Sequence, residues 1–153
     1  MRLQLTVNGR QVEHELAPQT LLLDFVRDTL GLTGAKRSCE VQVCGTCTVL
    51  VDGQPVSSCC FLAADAAGRE VLTIEGLREL PEFGRLERAF LDHAALQCGF
   101  CTPGMLLTVS ALLAEGELVS EETIKRSLAG NLCRCTGYRS IVEAVAELAG
   151  VGP

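Results

Sequence analysis

Three cysteines crowd into Cys39-Glu-Val-Gln-Val-Cys44-Gly-Thr-Cys47, and a fourth, Cys59, follows after a short hairpin pattern. The C-x4-C-x2-C…C spacing is one that wraps a 2Fe-2S cluster, which needs four thiolates aimed at one point. A loop can deliver them only if its backbone curls around the metal without Cβ collisions, and Gly45, between two of the cysteines, permits such a curl. A second quartet, Cys98-Gly-Phe-Cys101 and Cys133-Arg-Cys135, lies downstream with different spacing. The chain is organised to hold two metal centres.

Each group also has a plainer reading. Cys98-Gly-Phe-Cys101 could be a thioredoxin-like redox pair, but that motif expects a preceding strand in a βαβ unit, and here a helical pattern precedes it. A zinc site of four cysteines is the stronger rival, since C-x2-C pairs bind zinc readily and staple small domains. Against it, the first quartet packs three cysteines into one loop and the second ends in C-x-C, where zinc sites use two separated pairs. A disulfide framework fits poorly, because nine cysteines is an odd number and Cys59-Cys60 and Cys133-Arg-Cys135 are badly spaced for one. Met1-Arg-Leu-Gln-Leu enters a strand pattern directly, with no apolar leader, so a cytoplasmic location with reduced thiols is expected. His14 and His93 have no second ligand at metal spacing and are read as packing residues, as are Phe100 and Tyr138 beside the second quartet.

Composition narrows the partners. The 153 residues are 48% hydrophobic, enough for a real core, but two halves of this chain would each be small enough to benefit from a metal staple. A net charge of −6 argues against nucleic acid or an anionic membrane surface, and 4% aromatics offer no stacking platform. No run approaches membrane-spanning length. There is no phosphate-cradling loop, no dinucleotide fingerprint and no Ser/His/Asp arrangement. An electron carrier needs none of these.

The elements that must position the cysteines can be read from periodicity. Leu3, Leu5 and Val7 alternate up to an Asn8-Gly9 turn, and Val12, His14 and Leu16 continue, which predicts a β-hairpin. Thr20 is a candidate N-cap for a helix carrying Leu22, Leu23, Phe25, Val26 and Leu30 and stopping at Gly31. Strands are predicted from Thr48 to Val51 and Pro55 to Ser58 around Asp52-Gly53, and from Glu70 to Ile74. From about Leu77 the period changes from strand to helix. Four helices follow: one through Leu86, Ala89, Phe90 and Ala94 ending near Gln97; an all-apolar one from Gly104 to Ala114 after a Thr102 cap and Pro103; one opened by Ser120 and closed at Gly130; and a last one through Ile141, Val142, Val145 and Leu148. The second quartet falls at their ends, so two turns distant in sequence must meet.

Three stretches together carry a resemblance. Gly34-Ala-Lys-Arg-Ser-Cys39 through Cys47-Thr-Val-Leu-Val-Asp-Gly, Gln97-Cys98-Gly-Phe-Cys101-Thr-Pro-Gly-Met105, and Gly130-Asn-Leu-Cys133-Arg-Cys135-Thr-Gly-Tyr138 resemble the iron-sulfur subunit of molybdenum hydroxylases, the family of xanthine dehydrogenase, aldehyde oxidoreductase and aerobic carbon monoxide dehydrogenase. The resemblance implies an α+β chain: a β-grasp, plant-type ferredoxin domain over residues 1–76, then an all-α four-helix-bundle domain over residues 77–153, each with one 2Fe-2S cluster. It implies Cys39, Cys44, Cys47 and Cys59 as ligands of the first cluster and Cys98, Cys101, Cys133 and Cys135 of the second, with Cys60 spare. It implies a large subunit carrying molybdopterin and a medium subunit carrying FAD, in a heterotrimer or its dimer, with electrons relayed singly from molybdopterin through both clusters to FAD. In that family the residue matching Gln97 contacts the pterin and the cysteine matching Cys135 is hydrogen-bonded to it. The chain departs from many relatives at Ser38 and at Glu40-Val-Gln-Val43, where they carry glycines. The rival function is a structural or interaction protein stapled by zinc.

Overall fold

The computed structural model describes residues 1–116 and 119–151. Asn8 and Gly9 take the left-handed backbone, φ 51° and 74°, that a two-residue hairpin turn demands. They fold β1 (Arg2–Val7) onto β2 (Arg10–Glu15), with Leu5 opposite Val12. The same device at Asp52 and Gly53 joins β3 (Thr48–Val51) to β4 (Gln54–Ser57). β5 (Glu70–Leu72) lies parallel to β1 and antiparallel to β3, giving a five-stranded mixed sheet in the order β2-β1-β5-β3-β4.

The segment after the hairpin differs from its expected form. Helix α1 (Leu22–Asp24) is one short turn that continues as a π-helical stretch, Phe25–Thr29, and ends at Gly31 with φ 73°. Thr20 is not its cap: its hydroxyl donates to Ala17 O at 2.8 Å, closing the turn after Pro18. Leu21 instead pairs with Leu62 as an isolated β-bridge, and Leu22 N–H donates to Phe61 O at 2.7 Å. A neighbouring strand-like segment thus satisfies the donor a cap would have taken.

The helical second half begins at α2 (Ile74–Leu77), so Ile74 leaves the strand predicted for it. Helix α3 (Phe83–Asp92) ends well short of Gln97. Ala94 adopts φ 49°, and the N–H groups of Ala94 and Ala95 turn back to Leu91 O (3.0 Å) and Phe90 O (2.8 Å). This is a Schellman closure made with alanine, invisible to a search for glycine. Helix α4 (Thr102–Ala114) starts one residue earlier than predicted, with Cys101 at its N-cap, because the Gly99 turn at φ 78° runs straight into it. It is buried nearly all round, from Gly104 to Val109 and at Ala111 and Leu112. Ser120 caps α5 (Glu121–Leu128) by accepting from Thr123 N–H at 3.1 Å, and Gly130 follows the Ala129 C-cap. Helix α6 (Arg139–Leu148) packs against α3 and α5.

Two hydrophobic clusters result. One gathers Leu3, Leu5 and Val7 with Leu22, Leu23, Phe25, Val26, Val49, Val51 and Val71; the other gathers the inward faces of α2 to α6. Strand β3 is buried on both faces and serves both: Val49 and Val51 enter the first cluster while Leu50, 4% exposed, enters the helical one. A leucine so buried contributes about 2 kcal/mol, so the sheet and the helices share a stabilising interface. Among the described residues no helix is long and apolar enough to cross a membrane.

Candidate metal centres

The loop from Gly34 to Cys47 is clasped at its base. Lys36 N–H donates to Thr46 O at 2.9 Å, Thr46 Oγ1 donates to Lys36 O at 3.3 Å, and Arg27 reaches Thr33 O and Ala35 O at 2.8 and 2.5 Å. Within the clasp, Glu40 and Gln42 both adopt positive φ, 57° and 59°, a conformation that glycine takes more cheaply. The alternation turns successive amides inward: Val41, Val43 and Cys44 N–H all point at Cys39 Sγ, at 3.5, 3.4 and 3.4 Å. Arg37 braces this strained path by bonding Glu40 at 2.6 Å and Asp24 on α1.

All nine cysteines are free thiols. The amides of Val41, Val43 and Cys44 hold the Cys39 thiol down at about 6, because they stabilise the thiolate. Burial pushes Cys47 up to about 11. Cys39 lies beside Cys44, and Cys47 beside Cys59. Cys60 is exposed, with Sγ 3.7 Å from Cys59 Sγ and 3.7 Å from Glu40 O.

The turns of the second quartet do meet. Cys98 and Cys135 Sγ lie 3.5 Å apart, and Cys101 lies beside Cys133. Burial pushes Cys101 up to about 12. Burial also acts to raise Cys133, but the hydroxyl and amide of Thr136, at 3.2 and 3.5 Å, and the Cys135 amide outweigh it and bring the thiol to about 7. Gln97 Nε2 donates to Cys135 O at 3.1 Å, so the amide sits on the exposed rim with Cys98 and Cys135. Tyr138 is a built part of the site: its Oη accepts from Cys133 N–H at 2.8 Å. Phe100 does not pack over the site as expected, being 46% exposed. His14 packs edge-on against Phe25 and His93 bonds Glu147 at 2.7 Å, both away from the cysteines.

Among the described residues no three His, Cys, Asp or Glu side chains converge on a single ion. The sulfurs gather in two groups instead: Cys39, Cys44, Cys47 and Cys59, with Cys60 beside Cys59, around the loop, and Cys98, Cys101, Cys133 and Cys135 at the helix ends. In each site hydrogen-bond donors lower one thiol, Cys39 or Cys133, and burial raises another, Cys47 or Cys101, which a cation beside it would favour as thiolate. Residues 39–47 approach residues 130–133 closely: Leu132 N–H donates to Cys44 O at 2.9 Å, and buried Asn131 bonds Gly45 O at 3.2 Å. Sequence reasoning did not single out Asn131 or Gly104, which stand two residues before Cys133 and three after Cys101. A groove of about 1280 Å³ runs along α5 and α6 and is lined by no cysteine.

Comparison with known proteins agrees with this chemistry. Residues 5–73 match the family described as 2Fe-2S iron-sulfur cluster binding domain, and residues 73–146 the family described as [2Fe-2S] binding domain. Caffeine dehydrogenase subunit gamma of Pseudomonas sp. (strain CBB1) is 44% identical over 146 residues, covering 94% of this chain and 87% of its own. The xanthine dehydrogenase iron-sulfur-binding subunit of Escherichia coli O157:H7 is 43% identical over 148 residues, covering 95% and 92%. The crystal structure of quinoline 2-oxidoreductase from Pseudomonas putida 86 contains a chain that superposes with a TM-score of 0.88 at 44% identity, covering 99% of this chain and 97% of that one. The chain therefore belongs to the 2Fe-2S iron-sulfur small subunits of the molybdenum hydroxylases.

Proposed function

We propose that this subunit holds two 2Fe-2S clusters and relays electrons one at a time between a molybdopterin-bearing large subunit and an FAD-bearing medium subunit, as a heterotrimer or its dimer. The observation that carries the reading is the gathering of the thiols into two separate groups, each with the four sulfurs that a two-iron core takes as two thiolates per iron. Cys39, Cys44, Cys47 and Cys59 form the first site and Cys98, Cys101, Cys133 and Cys135 the second. In the finer architecture, residues 1–76 are a β-grasp ferredoxin domain and residues 77–153 a four-helix-bundle domain. A bound cluster in each site supplies a one-electron redox centre.

The chain's own residues account for the rest. Inward amides around Cys39 and the Thr136 donors on Cys133 offset negative charge at sulfur. The exposed Gln97, Cys98 and Cys135 rim is the side that meets the large subunit, with the Gln97 amide and Cys135 offered to the pterin. The first site faces the medium subunit, so electrons enter at the helical site and leave at the loop site. Nine free thiols suit a reducing, cytoplasmic compartment.

Metal analysis and a visible spectrum of the anaerobically purified complex test the cluster content: four irons and four sulfides in this chain support it, and a colourless, zinc-containing chain overturns it. Gln97→Ala tests the rim. It should leave both clusters assembled and slow their reduction by the complex's substrate; unchanged reduction would remove Gln97 from the entry point.

A further inference from the structure

We propose that Asn131 is a positioning residue that fixes the two cysteine sites relative to each other, and so governs electron passage between them. The inference rests on the reading of two clusters in this chain.

Asn131 is 4% exposed, and its amide is fully engaged. Nδ2 donates to Gly45 O at 3.2 Å and Thr48 Oγ1 at 3.4 Å, while Oδ1 accepts from Thr108 Oγ1 at 3.0 Å. Each contact lies on a segment that carries cysteines. Gly45 adjoins Cys44, Thr48 adjoins Cys47, Thr108 stands on the helix that Cys101 caps, and Asn131 itself lies two residues before Cys133. One buried side chain therefore ties together the supports of both sites.

Two glycines let the backbones come close enough for this. A Cβ on Gly45 would lie 2.2 Å from Gly130 O, and a Cβ on Gly104 would lie 2.3 Å from Gly45 O. An apolar side chain could fill the space that Asn131 occupies, but it would leave the Gly45 carbonyl without this donor and would set no direction. A buried, fully bonded amide specifies one arrangement, because any shift of the loop breaks a bond that water cannot replace. Electron tunnelling falls exponentially with the gap, so a small displacement of one site alters transfer far more than it alters folding.

The test uses the assembled complex with Asn131→Ala and Thr108→Val, each checked for iron content. Spin coupling between the two reduced clusters is read by EPR, and inter-cluster transfer is followed after rapid reduction. Asn131→Ala is expected to keep its iron, change the coupling and slow transfer severalfold; Thr108→Val, which leaves the Nδ2 bonds, should give a smaller change in the same direction. Full iron with unchanged coupling and transfer in Asn131→Ala overturns the proposal. If Asn131→Ala loses iron, Thr108→Val decides alone, an altered coupling supporting the proposal and an unaltered one overturning it. Wild-type complex showing a single paramagnetic centre on full reduction would instead overturn the two-cluster reading, before any substitution is made.

Discussion

The carbonyl of Cys44 accepts a hydrogen bond from the amide of Leu132 at 2.9 Å. Leu132 directly precedes Cys133, so one hydrogen bond and a few backbone bonds join a cysteine of the first site to a cysteine of the second. Both partners are main-chain groups, which makes the link independent of the exposed Leu132 side chain but dependent on how closely the two loops can approach.

That approach can be tested at Gly104, in the first turn of α4. Helix propensity alone predicts that Gly104→Ala stabilises the chain by about 1 kcal/mol. The new Cβ, however, would sit 2.3 Å from Gly45 O, against backbone that has no room to yield. We expect a net loss of about 1 to 3 kcal/mol, measured by denaturant unfolding of the complex or chain, with faster iron release. A gain in stability would show that the loops are not interlocked here.

Cys60 separates ligand from neighbour. It is exposed and 3.7 Å from the buried Cys59, so proximity alone does not distinguish their roles. Cys60→Ser should leave iron content unchanged, whereas Cys59→Ser should lower it at the first site. The reverse result would exchange the two assignments.

The parts legible in the sequence are those set by local chemistry. Asn8-Gly9 and Asp52-Gly53 gave both hairpins because only such residues take paired left-handed turns cheaply, and the all-apolar Gly104 to Ala114 run could only be a buried helix. The early end of α3 was not legible, since Ala94 in the left-handed region carries no local signal and tertiary packing imposes it. Thr20 looked like a cap but lost that role to a long-range bridge between Leu21 and Leu62. At the sites, cysteine spacing indicated which sulfurs gather, while Asn131 and Gly104 act through contacts between segments far apart in sequence.

Ala94 gives a direct stability test. An L-residue in the left-handed helical region costs about 1 to 2 kcal/mol relative to glycine, part of which is offset by the greater freedom glycine has when unfolded. Ala94→Gly should therefore raise unfolding free energy by about 0.5 to 1 kcal/mol. The residue is exposed, so no packing is lost. A loss of stability would mean that the Ala94 methyl makes a contact outweighing its backbone strain.

The two centres should differ in potential, because their sulfurs have different surroundings. In the first site Cys44, Cys47 and Cys59 are buried and Cys39 Sγ receives three amides; in the second, Cys98 and Cys135 are exposed and Cys133 Sγ receives Thr136. Hydrogen bonds and solvent at sulfur stabilise the more negative reduced form and raise the potential. A reductive titration followed by low-temperature EPR should resolve two signals that appear at different potentials. Thr136→Val assigns them, since it removes the hydroxyl bond to Cys133 Sγ at 3.2 Å and leaves the first site untouched. If that bond favours the reduced form by about 1 kcal/mol, the second centre alone should shift down by about 40 mV for one electron. Two equivalent signals in the wild type, or a Thr136→Val shift in both, would show that local hydrogen bonding does not set these potentials.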